Sequence, residues 1–454
     1  MIYALKDPQG HVKSGSENVI KIAHEFYSDL FTSQHMDEEV QHTILEKLDR
    51  TVPTVLKRKC DEQITKDELS KSLRSMQNNK SPGSDGFPAE FWKFFWCEVS
   101  DEFLMVVDWV YDTGRLTKSM SEAIIRLLYK KGDRMDIKNY RPISLINADY
   151  KIISKTIATR MAAVLPHIIH HDQTCVPGRK ITDNIHVLRD TIEYCDSTNT
   201  EGAILFLDQE KCFDRVEHSF MIKVMEKFGY GRNFINWIKI FYNNVTSKVL
   251  INGNMSDLIP IERGTRQGDA PSSLIYVMVA EVLACQIRSN PSIKGITVRG
   301  IEKKIGGYAD DTQCFISKEE SLGHLLGEIH LFEQASGAKL NQQKTEGLWI
   351  GPWRNRPDKP YGFTWKSTRI KVLGVWLGET SVRITNYEEH YAAIIAKLKT
   401  WSRVPLSQLG KVRVANIFLY SRLWYRTEVS APLAKTDTRQ GFEDVERQVA
   451  SWVF

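Results

Sequence analysis

Two short apolar segments that end in acidic residues constrain the fold more than any other feature of the sequence. The first, GAILFLDQEKCFDRV, has an unbroken apolar run before Asp208. Such a run is typical of a strand that is buried on both faces. The second, KIGGYADDTQCFI, has β-prone residues on both sides of Asp310 and Asp311. This pattern predicts a hairpin with the two acids at its turn.

These three carboxylates form a candidate metal site. Carboxylates at adjacent strand edges supply the hard oxygen ligands that Mg²⁺ prefers. Two such ions can bind the attacking and leaving oxygens of a phosphoryl transfer. Each residue also has a simpler explanation, because a lone aspartate such as Asp208 is usually a turn residue or a helix cap. The YADD segment could likewise be a solvated hairpin tip, so residue types alone leave both interpretations open.

Basic residues in predicted loops are candidates for binding phosphate. Lys130 and Lys131 precede a Gly-Asp turn, and Arg141 lies in NYRPISL, where proline fixes the neighbouring backbone. A guanidinium can bind phosphate oxygens through two parallel hydrogen bonds. The segment RGTRQGDAPSS places two arginines and two glycines around Gln267, and glycine lets the backbone approach a ligand closely. Each of these residues could equally be a solvated residue in a loop.

The composition is that of a globular protein with a hydrophobic core. Of 454 residues, 42% are hydrophobic and 26% are charged. The net charge of +5 is compatible with a nucleic-acid partner, and equally with a basic surface that binds nothing. The seven cysteines include no CxxC pair, so neither a zinc site nor a redox dithiol is predicted. Because we find no secretory signal and no apolar run long enough to span a bilayer, we expect an intracellular protein.

Helical periodicity dominates the rest of the chain. Residues 1–61 are predicted to form a small helical extension, and Thr65 with Glu68 forms a capping-box pattern that opens the next helix. NNKSPGSDG is predicted to be a loop. The aromatic segment FWKFFW could be a platform for nucleic acid, but its helical period favours packing in the core. KVLGVWLG is predicted to be a third short strand, with helices following it.

The order of these segments resembles the reverse transcriptases of LINE-type (non-LTR) retrotransposons, from about residue 62 to the C-terminus. The resemblance rests on an ordered series of motifs: NNKSPGSDG, NYRPISLINADYKIISK, DQTCVPGRKITDNI, FLDQEKCFDRV, RGTRQGD, YADD, SGAKLNQQKTE and VLGVWLG. It implies an α+β fold of the right-hand polymerase type. The implied domains are a helical N-terminal extension at 1–61, fingers at 62–200, a palm with the catalytic carboxylates at 201–378 and a helical thumb at 379–454.

The resemblance also implies roles for the acidic residues. Asp208 and Asp310 would bind two Mg²⁺ ions directly, with Mn²⁺ able to replace them, and Asp311 would be a less essential partner. Lys344, in NQQKTE, matches the lysine that is proposed to protonate the pyrophosphate leaving group in this family. A solvent-exposed lysine without a catalytic role is the simpler explanation for Lys344.

Five further residues match positions that surround the incoming nucleotide in this family. Phe213 matches the steric gate that excludes a ribose 2′-hydroxyl, the group that distinguishes ribonucleotides from deoxyribonucleotides. It could instead be a core aromatic. Lys130 and Arg141 match fingers residues near the triphosphate. Gln267 and Gly268 match the loop beside the nucleotide sugar.

Three basic residues of the predicted thumb, Lys411, Arg413 and Arg422, could face a template-primer duplex. The apolar residues around them have helical spacing and are expected to pack the thumb helices. The protein would then contact phosphates and the A-form shape rather than the base sequence. The alternative is that these charges point to solvent on the outer face of the thumb.

The sequence departs from the family pattern in two places. Cys212 stands where alanine is common, and a thiol is a small apolar substitute. GDAPSS replaces the usual Gly, Cys or Asp, Pro, Leu, Ser, so Ala270 and Pro271 are shifted or exchanged. We therefore expect an altered loop geometry there. We identify no endonuclease pattern and no Cys/His knuckle in the chain.

The function implied by the resemblance is RNA-directed DNA polymerase activity. The partners would be an RNA template, a DNA primer or nicked target DNA, and dNTPs, with no membrane. We expect the protein in the nucleus and in cytoplasmic ribonucleoprotein particles. The alternative is a decayed copy of the element that only binds nucleic acid, and a host polymerase derived from such an element is a third hypothesis.

Overall fold

The computed structural model describes residues 1–379, 382–421, 425, 428–429 and 439–454. The chain folds into two units, each made of several segments. Unit 1 comprises Met1–Gly178, Gln209–Pro291 and Gly323–Asn341. Unit 2 comprises Arg179–Asp208, Ser292–Leu322 and Gln342–Phe454. The described residues form many helices and many strands, so the mixed α and β structure that the sequence predicted is confirmed.

Helices make up the larger part of the described residues. In chain order they are α1 (Ser16–Phe31), α2 (Glu38–Leu45), α3 (Thr54–Asp61), α4 (Lys66–Ser75), α5 (Ala89–Phe94), α6 (Trp96–Thr113), α7 (Lys118–Ser121), α8 (Ala148–Ile168), α9 (Ile181–Thr198), α10 (Cys212–Arg215), α11 (His218–Phe228), α12 (Arg232–Tyr242), α13 (Ser272–Ser289), α14 (Glu320–Ser336), α15 (Val382–Trp401), α16 (Gln408–Val414) and α17 (Arg439–Val453). A π-helical turn, Ala415–Tyr420, directly follows α16.

The strands are short. In chain order they are β1 (Ala4–Lys6), β2 (Val12–Ser14), β3 (Glu122–Tyr129), β4 (Tyr140–Ile146), β5 (Gly202–Leu207), β6 (Thr246–Ile251), β7 (Asn254–Met255), β8 (Ile259–Pro260), β9 (Ile296–Val298), β10 (Ile301–Lys303), β11 (Ile305–Tyr308), β12 (Asp311–Ile316), β13 (Glu346–Ile350), β14 (Thr364–Lys366), β15 (Arg369–Val372) and β16 (Val375–Gly378).

Unit 1 contains a sheet with the strand order β4-β3-β6-β7, and β8 also pairs with β6. Strands β3 and β4 are antiparallel, whereas β3 and β6 are parallel. More buried and less buried residues alternate along β6, as expected for a strand with one face against the core. Most residues of α8 are buried, so this helix forms part of the interior of unit 1.

Arg160 of α8 joins three segments of unit 1. Its guanidinium donates to both carboxylate oxygens of Glu68, each at 2.8 Å. Glu68 also completes the predicted capping box at the start of α4, which is confirmed. Arg160 donates further to the carbonyls of Cys60, Glu62 and Gln63. The Arg160 side chain is 8% exposed and that of Glu68 is 31% exposed. Removal of the guanidinium would therefore leave the Glu68 carboxylate and the three carbonyls without this donor where water has limited access.

We expect Arg160→Ala to lower the free energy of unfolding by about 2–4 kcal/mol, because a charged donor to several partly buried acceptors is lost. Lys71→Ala is a suitable control, since Lys71 forms an ion pair with Asp67 of the same helix α4 in which both side chains are more than two-thirds exposed. That pair is screened by water and should have little effect. Urea unfolding followed by circular dichroism compares the two variants. Equal midpoints and slopes would contradict the role given to Arg160.

A buried ion pair of unit 1 binds residues 30–34, which belong to the predicted N-terminal extension. Arg263 and Glu217 are each 2% exposed, and Nη1 of Arg263 is 3.5 Å from Oε1 of Glu217. Arg263 donates to the carbonyl of Leu30 at 2.8 Å. Glu217 accepts hydrogen bonds from the Ser33 hydroxyl at 2.7 Å and the Gln34 backbone N–H at 3.1 Å. The extension also begins with the antiparallel pair β1–β2, which the helical prediction for 1–61 did not include.

Unit 2 contains a second sheet, with the strand order β11-β12-β5-β13-β14. The pairs are antiparallel except for β13 and β14. Strand β5 lies in the middle, and Ala203, Ile204 and Leu205 have no exposed surface, which confirms the prediction of a doubly buried strand. Helix α9 contributes Ile185 and Leu188 to the hydrophobic cluster that contains Ile204.

The C-terminal helices of unit 2 share a separate hydrophobic cluster. Ile394 of α15, Leu419 of the π-helical turn, and Val445 and Val449 of α17 belong to it. The helices predicted after KVLGVWLG are therefore present among the described residues. Their apolar residues pack against one another, as the helical spacing predicted.

The segment KVLGVWLG differs from its prediction. It contributes to a hairpin of two strands, β15 and β16, rather than to a single strand. The turn residues Leu373 and Gly374 have φ of 47° and 81°. Two consecutive residues with positive φ are typical of the tight turns that connect antiparallel strands. The break comes from backbone conformation and leaves the apolar pattern intact.

The prediction that FWKFFW packs in the core is wrong for two of its residues. Phe94 and Phe95 are 78% and 40% exposed, whereas Trp96 is buried. Helix α5 ends at Phe94 and α6 begins at Trp96. The interruption breaks the helical period on which the core assignment rested.

Helix α13 is the one described helix that is long and apolar enough to cross a bilayer by length and composition. It is 18 residues long, and 72% of it is buried inside the protein. Sequence analysis had found no such apolar run. A mostly buried helix of this kind is typical of a protein core, so the helix is weak evidence for a membrane segment.

Candidate active site

Strand β5 and the β11–β12 hairpin bring the three predicted carboxylates to one end of the unit 2 sheet. Leu207 is opposite Thr312 in the antiparallel β5–β12 pair. Continuing this register by one residue places Asp208 opposite Asp311. Asp310 lies in the two-residue turn of the hairpin, and Asp311 is the first residue of β12 rather than part of the turn.

The hairpin turn consists of Ala309 and Asp310. Ala309 has a φ of 54°, which is uncommon for a residue other than glycine, and it is 9% exposed. Asp208 and Asp310 are half-buried, and Asp311 is exposed. A two-residue turn between paired strands leaves little backbone freedom, so it fixes the direction from which Asp310 and Asp311 project.

Lys344 lies at the same end of this sheet. It directly precedes Thr345, a buried residue whose hydroxyl accepts a hydrogen bond from the Asp208 backbone N–H at 3.4 Å. Strand β13 begins at the next residue and pairs with β5, so Glu346 is opposite Phe206. Lys344 is exposed. The structure therefore places Lys344 at the same end of the sheet as the three aspartates.

The donor set at this sheet end fits a divalent cation. Three carboxylates on neighbouring strand ends offer the hard oxygen ligands that Mg²⁺ and Mn²⁺ bind. Two of them are half-buried and one is exposed, so both ions and a phosphorylated substrate can reach them from solvent. Asp208, Asp310 and Asp311 are thus the residues of unit 2 that could hold the ions.

Three of the predicted nucleotide-contacting residues lie together in unit 1. The ring of Phe213, in α10, lies against Tyr276 with the ring centroids 4.5 Å apart. The carbonyl of Phe213 accepts a hydrogen bond from the backbone N–H of Thr265 at 2.6 Å. This bond ties α10 to the loop that contains Gln267 and Gly268. Phe213 is half-buried, whereas a core aromatic would be enclosed.

Lys130 and Arg141 lie at one end of the β3–β4 pair in unit 1, and both are exposed. The backbone N–H of Lys130 donates to the carbonyl of Asn139 at 2.9 Å and closes this end of the pair. Lys211, which sequence analysis did not select, donates from Nζ to the carbonyl of Tyr140 at 3.1 Å. It adds a third cation near Arg141. Its position inside the FLDQEKCFDRV motif is the signal that could have identified it.

Asp214 is a second residue that sequence analysis missed. It is 1% exposed, and its Oδ1 accepts a hydrogen bond from Nε2 of Gln267 at 3.1 Å, while Oδ2 has no hydrogen-bond partner. Burial raises the pKa of Asp214 to about 6, and the nearby Lys211 limits this rise. The carbonyl of Gln267 also accepts from the Ser144 N–H at 2.9 Å. Gln267 is therefore fixed through both its side chain and its backbone.

The order Ala270–Pro271 is accommodated at the start of α13. Pro271, with φ −74° and ψ −18°, directly precedes Ser272, the first residue of the helix. Proline is tolerated at a helix start because its missing N–H would have no partner within the helix. The Ser272 hydroxyl donates to the carbonyl of Arg266 at 2.8 Å, which closes the loop. The departure from the family pattern thus leaves an ordered, hydrogen-bonded loop.

The predicted nucleic-acid contacts of the tail fall on α16 in unit 2. Lys411 is half-buried, and its ammonium group lies 5.8 Å from the centre of the Trp452 ring. Arg413 is exposed. Arg422 lies outside the described residues. Of Lys411 and Arg413, Arg413 is therefore the more accessible to a phosphate group of a bound duplex.

One other group of potential metal ligands occurs among the described residues. The ligand atoms of His170, His171 and Asp172 in unit 1 all lie within 4.8 Å of one another. Asp172 is also 3.5 Å from Arg288, which forms an ion pair with Glu281. A carboxylate that already faces a guanidinium and an imidazole is explained by this charge network, so we assign no metal to it.

A family model described as reverse transcriptase (RNA-dependent DNA polymerase) matches residues 129–377. The match covers more than half of the 454 residues. It includes both the aspartates of the unit 2 sheet and the nucleotide-contacting candidates of unit 1. The tail that carries Lys411 and Arg413 lies beyond it.

Relatives of the chain are proteins of transposable elements. It is 32% identical over 440 residues to the transposon TX1 uncharacterized 149 kDa protein of Xenopus laevis, which covers 95% of this chain and 33% of that protein. It is 27% identical over 229 residues to the Pol polyprotein of the type-1 retrotransposable element R2 of Popillia japonica, with 49% and 31% covered. It is 23% identical over 397 residues to the RNA-directed DNA polymerase of the mobile element jockey of Drosophila melanogaster, with 82% and 42% covered.

The chain spans between 31% and 42% of the length of these relatives, so it corresponds to one part of each. The relatives agree with the resemblance to retrotransposon enzymes that the ordered motifs gave. With the family model matching over most of the motifs, the chain belongs to the reverse transcriptase (RNA-dependent DNA polymerase) family, among the LINE-type members.

Proposed function

We propose that this chain is the RNA-directed DNA polymerase part of a LINE-type retrotransposon protein and extends a DNA 3′-hydroxyl on an RNA template. The observation that carries the proposal is the register of the unit 2 sheet, in which Leu207 lies opposite Thr312. Asp208 and Asp311 are the next residues at this end of the pair, and Asp310 occupies the adjoining turn. Membership of the reverse transcriptase family supports the same reaction.

In the proposed reaction the 3′-oxygen of the primer attacks the α-phosphorus of a dNTP. A new P–O bond joins the nucleotide to the primer, the bond between the α-phosphorus and the oxygen of the β-phosphate breaks, and the hydroxyl proton passes to water. Asp208 and Asp310 would hold two Mg²⁺ ions, or Mn²⁺ in their place, with Asp311 beside them. Such ions, when bound, neutralise the charge on the attacking and leaving oxygens. Lys344 would supply a proton to the departing pyrophosphate.

The residues of unit 1 would bind the incoming dNTP. Lys130 and Arg141 are exposed cations that suit the triphosphate, and a guanidinium can bind phosphate through two hydrogen bonds. Gln267 and Gly268 would lie beside the sugar. Phe213 would exclude a 2′-hydroxyl by its bulk, and the Tyr276 ring that packs against it would keep the half-buried Phe213 ring in place.

We propose the remaining assignments from the resemblance to the family. The proposed right hand has fingers at 62–200, a palm at 201–378 and a thumb at 379–454, after an extension at 1–61. The partners would be an RNA template, a DNA primer or nicked target DNA, and dNTPs. The protein would act in the nucleus and travel in cytoplasmic ribonucleoprotein particles.

Substitution of the turn aspartate tests the catalytic assignment. Asp310→Asn should reduce primer extension on poly(rA)/oligo(dT) with Mg²⁺ by at least about a hundredfold, because it removes one charge from the ion site and keeps the shape. Glu201→Gln is the matched control, since Glu201 is an exposed carboxylate at the opposite end of strand β5. Thermal unfolding should be similar for both variants. If Asp310→Asn extends the primer at the same rate as Glu201→Gln, the catalytic role proposed for Asp310 is wrong.

The same primer-extension assay distinguishes an active polymerase from a decayed copy that only binds nucleic acid. Extension by the unaltered chain supports the proposed function. Duplex binding without any extension, in either Mg²⁺ or Mn²⁺, would favour a decayed copy that only binds nucleic acid.

The sugar gate makes a separate prediction. Phe213→Ala should raise the kcat/KM for an rNTP relative to the matching dNTP by about tenfold or more, because the volume that would clash with the 2′-hydroxyl is removed. Phe94→Ala removes an aromatic ring that is 78% exposed and serves as the control. Single-nucleotide incorporation kinetics measure both ratios. Unchanged discrimination in Phe213→Ala would return Phe213 to a packing role.

A third prediction concerns the two basic residues of α16, of which Lys411 also contacts Trp452. Arg413→Ala should weaken duplex binding equally for different sequences and reduce the slope of log K against log[salt] by about 0.7–0.9, as for one lost phosphate contact. Arg413→Lys retains the charge and should keep the slope. Lys411→Ala should also lower thermal stability, because its side chain lies over the Trp452 ring. A slope unchanged in Arg413→Ala would show that Arg413 points away from the duplex.

A further inference from the structure

A buried carboxylate anchors the loop between β8 and α13 to a helix of unit 1. Asp269 is 7% exposed. One of its oxygens accepts from the Ser154 hydroxyl at 2.7 Å and from the Ala270 backbone N–H at 2.9 Å. The other accepts from the Tyr150 hydroxyl at 2.7 Å. Three donors therefore satisfy this carboxylate inside the protein.

The two hydroxyl donors belong to α8. Tyr150 and Ser154 are 1% and 0% exposed and lie four residues apart, so they project from the same face of the helix. The Tyr150 ring also lies 5.2 Å from the guanidinium carbon of Arg266, which donates to the carbonyl of Ser121 at 3.0 Å. Arg266 and Asp269 are opposite charges in the same buried loop, and each is bound to a different element.

Gln267 and Gly268 lie between these two anchors. Gly268 has a φ of 111°, and a Cβ there would come within 3.2 Å of the Ser144 carbonyl oxygen. The loop thus runs close to β4 in a conformation that suits glycine. Glycine can adopt other conformations at little cost, so the path of this segment depends on its anchors, and Asp269 attaches its C-terminal end to α8.

We propose that Asp269 is a positioning residue for the nucleotide, which holds Gln267 and Gly268 in the conformation that receives the dNTP sugar by anchoring the loop to Tyr150 and Ser154. This inference rests on the proposed polymerase function. It differs from a purely structural role, in which the buried hydrogen bonds would stabilise the fold and the loop would reach the same conformation without them.

Two substitutions at Asp269 separate anchoring from charge. Asp269→Ala and Asp269→Asn both remove the negative charge beside Arg266. The asparagine amide can still accept from one hydroxyl and donate to the other, because hydroxyl groups both donate and accept. Asp269→Ala should therefore raise the KM for dNTP by about tenfold, the effect of losing one or two hydrogen bonds, with a smaller change in kcat. Asp269→Asn should stay within about twofold of the unaltered protein.

A triple variant separates anchoring from stability. Asp269→Ala alone leaves the buried Tyr150 hydroxyl without its acceptor and Ser154 with only the Lys151 carbonyl at 3.5 Å. Asp269→Ala with Tyr150→Phe and Ser154→Ala instead removes all three polar side chains of the anchor. Removal of both partners is far less destabilising than removal of one. The triple variant should thus recover much of the lost thermal stability while its KM for dNTP stays high. Recovery of KM together with stability would overturn the proposal in favour of a structural role.

Amide hydrogen exchange provides a readout that does not depend on activity. The peptide covering residues 266–272 should exchange faster in Asp269→Ala and in the triple variant, and at the original rate in Asp269→Asn. Faster exchange with an unchanged KM would overturn the role in nucleotide positioning. An equal rise in KM for Asp269→Asn and Asp269→Ala would overturn anchoring as its cause. If the unaltered chain extends no primer, the proposed function fails and the role in nucleotide positioning fails with it, while exchange still reports whether Asp269 anchors the loop.

Discussion

The antiparallel pairing of β5 with β12 is the interaction on which the candidate active site depends. Side chains alternate between the faces of a strand, so a slip of one residue would turn Asp208 to the other face of the sheet. The continuous ladder of Ala203–Leu207 against β12 holds the register at this edge of β5. Strand β13 pairs with the other edge of β5 and fixes the register a second time. The residues that stabilise the sheet therefore also set the geometry of the carboxylates.

In unit 1 the equivalent constraint comes from buried polar groups. Asp214, Glu217 and Asp269 are each nearly inaccessible, and burial raises the pKa of each carboxyl. An ionised carboxylate inside a protein is costly unless hydrogen bonds compensate for the lost water. Each of these residues obtains such bonds from a segment distant in sequence. The requirement for compensation thus ties α10, the loop before α13 and the N-terminal extension to defined partners.

Local patterns in the sequence predicted the elements that depend on neighbouring residues. The run Ala203–Leu207 predicted a buried strand, and Thr65 with Glu68 predicted a helix start, because both signals lie within a few residues. The partners of Asp269 lie 119 and 115 residues away, so no local pattern reveals them. The exposed rings of Phe94 and Phe95 follow from a helix interruption that apolar periodicity does not encode. The roles proposed for Asp208, Asp310 and Phe213 came from the ordered motifs of a family rather than from residue chemistry alone.

The buried pair of Arg263 and Glu217 has a consequence for how such proteins can change by recombination. The other hydrogen-bond partners of its two side chains, Leu30, Ser33 and Gln34, belong to the predicted N-terminal extension. An exchange of the first 61 residues between two related elements would leave a guanidinium and a carboxylate inside unit 1 without these partners, unless the donor sequence supplied equivalent groups. Recombination that keeps the protein folded should therefore transfer the predicted N-terminal extension together with the segments around positions 217 and 263.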